Sequence, residues 1–159
     1  MQKNYRHGAI GALLDEYERA ISELKEIVET IPDDALIIVV DPRTNDENCR
    51  SVQTVLSHVV NSGYGYATSI YNLKGHNMMR PAKTFHVTTK EYIDGLCSVF
   101  AFTENVLGHF NDNELEQKDN ALKLTSWWGQ LYDIEQMMEH AIVHILRHRR
   151  QLERFKLLM

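Results

Sequence analysis

The chain has 159 residues, is 43% hydrophobic and 25% charged, and carries a formal net charge of −5. That length supports one domain with a real core. The acidic balance argues against an electrostatically driven nucleic-acid binder, and no apolar run approaches the roughly 20 residues that span a bilayer. Cys49 and Cys97 are the two cysteines. They share no CxxC spacing and make no disulfide framework, so a reducing cytosol is the simplest setting. Residues 1–7 lack the apolar segment of a signal peptide.

In chain order, Ile10, Leu13, Tyr17, Ile21, Leu24, Val28 and Ile31 recur at spacings of three and four. They predict an amphipathic helix over about residues 8–31, ended by Pro32. The β-branched run at 36–40 is read as an extended connection laid over the bundle, because no second strand exists to pair with it. A polar loop follows at 41–48. Ser51 is a plausible N-cap for a second helix running to about Leu73 and ending near Gly75. Val52, Val55, Leu56, Val59 and Val60 give it an apolar face, with His58 beside that face. The small residues Ser62, Gly63 and Gly65 would leave open space next to His58. Thr88 or Thr89 caps a third helix whose inward stripe is Tyr92, Leu96, Val99, Thr103, Val106 and Phe110. Residues 112–131 have no clear pattern, although Trp127-Trp128-Gly129 could turn and pack aromatic surface over one end of a bundle. A fourth helix spans about residues 132–157. Arg147, Arg149, Arg150, Arg154 and Lys156 suit the negative end of its dipole.

These four amphipathic helices imply an all-α fold, a four-helix bundle with up-and-down or crossover topology. The long first connection keeps arrangements other than simple up-and-down neighbours open.

The fourth helix carries the chemistry. Met137, Ala141, His144, His148, Leu152 and Phe155 share one face, so two histidines stand where leucines belong. Residues four apart on a helix lie one above the other, and two imidazoles so placed can chelate one metal. A buried histidine must be hydrogen-bonded or coordinate something. His58, near the core face of another long helix, is the third candidate, since bundle cores are where facing helices build metal sites. His140 is an alternative third ligand, but three ligands at i, i+4 and i+8 of one straight helix are too spread out for one ion. Three imidazoles suit zinc, nickel, copper or iron(II) and leave a position for water or substrate. Asn61, Ser62, Tyr64, Tyr66 and Gln151 could line the pocket. Asp133 and Glu139 flank the motif and read as solvent-exposed. His7, His76, His86 and His109 read as surface residues.

His144-Ile145-Leu146-Arg147-His148-Arg149-Arg150-Gln151-Leu152 resembles the H-x-x-x-H-R-G-Q-[IL] ending of the last helix in the DinB-like superfamily of four-helix metal-binding proteins. Leu56-Ser57-His58-Val59 is similar to the single histidine of that family's second helix. The resemblance covers nearly the whole length and implies one DinB-like domain over residues 1–159. It implies His58, His144 and His148 as the metal ligands, and His140 matches a position where the family often has a further histidine. Arg150 replaces the usual glycine. Cys49-Arg50-Ser51 stands where a tryptophan often precedes the second helix. The resemblance also implies a homodimer, for which Ile142, Ile145 and Leu146 would supply apolar surface. In characterised branches it implies transferases or isomerases that use a low-molecular-weight thiol such as bacillithiol or mycothiol.

The expected function is therefore a metal-dependent enzyme acting on a small-molecule substrate, as a thiol-dependent S-transferase or a hydrolase. The alternatives are a non-catalytic metal-binding or stress-response four-helix module, and a structural bundle without metal.

Overall fold

The apolar spacing becomes four long helices. In the computed structural model, which describes residues 4–159, they are α1 (Gly8–Val28), α2 (Val52–Asn72), α3 (Thr89–Leu107) and α4 (Ile134–Leu158). Residues 1–3, the start of the polar N-terminal stretch, lie outside the described residues. No helix among the described residues is long and apolar enough to cross a membrane.

Side-chain caps fix where three of these helices begin. Ser51 Oγ accepts from the Thr54 backbone N–H, and Thr54 Oγ1 accepts in return from the Ser51 N–H. Thr88 with Glu91, and Asp133 with Gln136, make the same reciprocal pair at α3 and α4. Each such cap contributes about 1 kcal/mol. Asp133 is therefore not the exposed residue expected from sequence. It is buried, with Oδ1 taking the Gln136 N–H and Oδ2 taking the N–H of Gln117 in the preceding loop. Glu139 is exposed as expected.

α1 packs against α3 and α4, and α2 packs against the same two helices. The diagonal pairs are α1 with α2 and α3 with α4, which is not a simple up-and-down order. Diagonal helices need connections that cross the bundle, and this accounts for the long segments before α2 and before α4. The first crossing uses a 3-10 turn at Asp33–Ala35 and buries Leu36, while Gln53 N–H donates to Leu36 O. Ile37, Ile38 and Val39 do not lie on the bundle as expected; they are 66%, 47% and 56% exposed. The second crossing was unpatterned in the sequence and holds a minimal hairpin, β1 (Leu124–Thr125) with β2 (Leu131–Tyr132), paired antiparallel. Trp127-Trp128-Gly129 forms its turn, with Gly129 at φ +89.

The shared core contains Tyr17 and Leu24 of α1, Leu56 and Ile70 of α2, Tyr92 and Leu96 of α3, and Met137, Met138 and Leu152 of α4. The predicted α3 stripe is buried throughout. Ile145 also belongs to this core, and Ile142 and Leu146 pack partly against it, so they do not form the free apolar face expected for a partner subunit. α1 buries Leu14 more deeply than the predicted Leu13.

Gly63 does not leave open space. A Cβ there would lie 2.5 Å from Val99 Cγ1 and 3.1 Å from Tyr17 Oη, so the missing side chain lets α2 close onto α3 and α1. For Gly63→Ala, the overpacking cost of about 1–3 kcal/mol opposes a gain in helix propensity of up to about 1 kcal/mol. The clash falls on a short, stiff valine and a fully buried tyrosine, so we expect net destabilisation. Urea unfolding should show a lower midpoint for the variant; an unchanged or raised midpoint would contradict this packing.

Candidate metal centre

α2 and α4 face each other, and each presents histidine to the seam between them. His58 comes from the second turn of α2, fixed in phase by the Ser51 cap and by Val55, Leu56 and Val59 on the buried face. His144 and His148 come from one stripe of α4, between buried Ala141 and Leu152. His58 Nε2 lies 2.9 Å from His144 Nε2, and His148 Nε2 lies 3.2 Å from His144 Nε2. The three rings meet edge to face, with centroids 4.5–5.1 Å apart. Two nitrogens bound to one ion at tetrahedral zinc distances would sit roughly 3.3 Å apart, so the observed spacings are of the right size for a shared ion. Among the described residues these three are the group whose donor atoms, all within 4.8 Å of one another, could hold a metal ion.

The surrounding side chains set the nitrogens' roles. His148 Nδ1 lies 2.8 Å from Gln151 Oε1. A carbonyl oxygen can only accept, so Nδ1 carries the proton and the Nε2 lone pair is directed at the cluster. Gln151 sits one turn further along α4, and its Nε2 donates to Cys49 O at 3.5 Å. The Cys49 thiol is 3.8 Å from Gln151 Oε1 and 3.5 Å from Asp46 Oδ2. Ser62 Oγ is 3.5 Å from His58 Nδ1.

Burial is the main electrostatic influence on the histidines. It holds the His58 imidazole down at about 4, with the charge of His148 adding to the effect. It holds His144 down at about 2, helped by His148, His58 and His140. His148 is lowered by burial too, against a raising contribution from Gln151. Arg147 lowers all three further, whereas Asp46 pulls His58 and His148 upward. At neutral pH the three rings are uncharged, which is the state a metal ligand requires. Burial pushes the Cys49 thiol up, so it stays protonated beside the cluster.

An aromatic wall closes one side. Trp127 stacks on Tyr66, with centroids 5.2 Å apart and planes at 7°, and Tyr66 meets the His144 ring edge-on at 5.7 Å. A Cβ on Gly65 would approach Trp127 at 3.3 Å, so this glycine admits the indole. The Arg80 guanidinium lies over the same ring at 5.4 Å. His140 belongs to the wall: its ring stacks on Trp128 at 4.5 Å, and its centroid is 6.3 Å from that of His144.

Of the pocket residues expected from sequence, Ser62, Tyr66 and Gln151 touch the histidines. Asn61 instead donates to Pro81 O and anchors the loop before α3. Tyr64 packs against Phe102, away from the cluster. His7, His76 and His109 are exposed, whereas His86 is partly buried against Tyr92. Sequence reasoning did not single out Asp46 and Cys49 as neighbours of the cluster. Its one signal was Cys49-Arg50-Ser51 standing where the resemblance leads one to expect a tryptophan before α2.

The lowered histidine pKa values carry a sign. In metal-free protein the rings are neutral when folded but bind protons near 6.5 when unfolded, so this contribution to stability is present above pH 6.5. It is lost as pH falls from about 6.5 towards the folded value of His58, about 4. Metal-stripped wild type should therefore lose thermal stability across that window more steeply than His58→Gln, which has one fewer buried imidazole to titrate there. Parallel curves would contradict the burial of a neutral imidazole.

The sequence model of the DinB family matches residues 1–154. Among solved structures, a conserved protein from Enterococcus faecalis superposes with a TM-score of 0.65 at 13% identity, covering 96% of this chain and 98% of that one. At that identity the likeness concerns the fold. No curated protein matches the sequence. The family match spans nearly the whole length and coincides with a helical bundle carrying a three-histidine cluster, and the chain belongs to the DinB family.

Proposed function

We propose that His58, His144 and His148 hold a divalent transition metal, and that the protein is a metal-dependent enzyme acting on a small molecule, as a thiol-dependent S-transferase or a hydrolase. The observation that carries this reading is the convergence of three neutral imidazole nitrogens from two facing helices, with spacings that fit one ion. Zinc, nickel and iron(II) all accept such a set. A metal so held supplies a Lewis acid that lowers the pKa of a thiol or water.

The chain's own residues provide the rest. Gln151 fixes the His148 tautomer and ring plane. Tyr66 and Trp127 shield one side of His144 from water and offer an apolar surface to a substrate. Burial, with a small contribution from Arg147, keeps the imidazoles unprotonated. A low-molecular-weight thiol as co-substrate is the form of this reading that the family suggests.

A non-catalytic metal-binding module is the second reading, and one observation favours it. Among the described residues no carboxylate joins the three imidazoles, and Asp46 is already engaged by Asn48 and Cys49. Thiol binding separates the two. Adding a small thiol to the cobalt-substituted protein should shift its visible spectrum if the centre is open and catalytic, and should leave it unchanged if the site only stores metal.

The primary test is elemental mass spectrometry on protein purified without a histidine tag. We expect on the order of one transition metal per chain, lost in His144→Ala, with Gln151→Ala weakening metal affinity about 10- to 100-fold. A wild type that contains no metal and takes up neither zinc nor nickel would overturn the metal-centre reading.

A further inference from the structure

The family's usual glycine is replaced by Arg150, and that residue lines a second concave feature. A cleft of about 590 Å³ lies between the loop at residues 40–43 and the C-terminal half of α4. This is the size of a small-molecule pocket. Arg43 enters from the loop, and Arg147, Arg150 and Arg154 come from α4, over a floor that includes Phe155. Gln151 lines the same cleft while accepting from His148, so the cleft shares a wall with the histidine cluster.

The cleft concentrates unneutralised charge. Of the five arginines outside the cleft, three are paired: Arg6 with Asp15, Glu18 and Glu104, Arg19 with Glu16 and Glu23, and Arg149 with Glu23 and Glu153. The other two, Arg50 and Arg80, stand apart from one another in the sequence, and Arg80 lies over the Trp127 ring. Among the described residues, no carboxylate forms an ion pair with Arg43, Arg147, Arg150 or Arg154. The acid that does line the cleft, Asp41, is turned to its own loop, where Oδ1 accepts from the backbone N–H groups of Arg43 and Thr44. The helix dipole does not account for the arrangement. Its influence is confined to the last turn, whereas Arg147 and Arg150 lie about three and two turns before the end of α4. Positions 147, 150 and 154 share one face at i, i+3 and i+7, where like charges repel. A loop arginine converging on the same space adds to that repulsion. All four side chains are exposed, so water screens part of that repulsion, and an anion placed between them would relieve the rest.

We propose that this cleft binds a small molecule carrying at least two anionic oxygen groups, carboxylate or phosphate, held by Arg43, Arg147, Arg150 and Arg154. Guanidinium forks match both groups bidentately, which a lysine cluster would not do. The overall acidity excludes a polyanion such as nucleic acid, which would be repelled outside the cleft. The site does not require the metal.

Calorimetric titration of the full chain tests this, with succinate, inorganic phosphate and acetate as probes, at low ionic strength. Wild type is used metal-free for all three probes and zinc-loaded for the carboxylates. At least one dianion should bind with Kd at or below about 1 mM, and acetate more weakly than succinate. Whichever dianion binds identifies carboxylate or phosphate as the preferred group. Arg147→Ala and Arg150→Ala should each weaken that binding about tenfold, and Arg19→Ala, an exposed arginine on α1, by less than about twofold. No saturable binding of either dianion up to about 10 mM overturns the proposal. So does an equal loss in Arg19→Ala, which would mean unspecific attraction. Binding seen only with zinc and indifferent to the cleft arginines would place the anion on the metal and would also overturn it, while leaving the metal centre intact.

Discussion

The seam between α2 and α4 carries three imidazoles where a helical bundle would ordinarily bury leucine. Each ring brings a polar nitrogen into a region that burial makes hostile to charge, and an unpaired buried nitrogen is costly. The chain answers in two ways. It keeps the rings neutral, with His58 held at about 4 and His144 at about 2. It also points their Nε2 atoms at one another, an arrangement in which one shared ion would meet all three lone pairs. Much of the surrounding architecture serves that geometry. The Ser51 cap sets the phase of α2, Gly63 lets α2 close on its neighbours, and the buried stripe of α4 sets the phase of His144 and His148.

The diagonal order of the helices has a functional consequence. Because α1 and α2 do not pack as neighbours, the segment joining them must cross the bundle before α2 begins. That crossing delivers Asp46 and Cys49 to the edge of the histidine cluster and Arg43 to the face of α4. The other long crossing delivers the Trp127–Trp128 hairpin against Tyr66 and His140. The helices thus supply the three imidazoles, and the two crossings supply most of what surrounds them. The surroundings of the cluster can then vary through loops on a fixed scaffold, as is usual for sites built on rigid elements.

Much of this was legible in the sequence, for physical reasons. The α4 stripe and its HxxxH spacing are local facts, since i, i+4 neighbours on a helix meet whatever the tertiary fold. The caps at Ser51 and Thr88 are equally local, and both form. His58 could be placed near the apolar face of α2 by the same periodicity. What could not be read depends on contacts between distant segments. Asp133 looked exposed because its burial comes from the loop around Gln117 rather than from its own helix. Ser62, Gly63 and Gly65 suggested open space, which Val99 and Trp127 fill from elsewhere in the chain. The arginines of α4 read as complements to the helix dipole. Their cleft exists only because residues 40–43 fold back against them.

The central claim is that the three imidazoles share one ion, and X-ray absorption at the zinc edge of the loaded protein addresses it most directly. The account predicts a first shell containing three imidazole nitrogens at about 2.0–2.1 Å, with the outer-ring scattering that imidazole alone gives, and no sulfur near 2.3 Å. A shell of oxygen without imidazole scattering, or one containing the Cys49 sulfur, would contradict it.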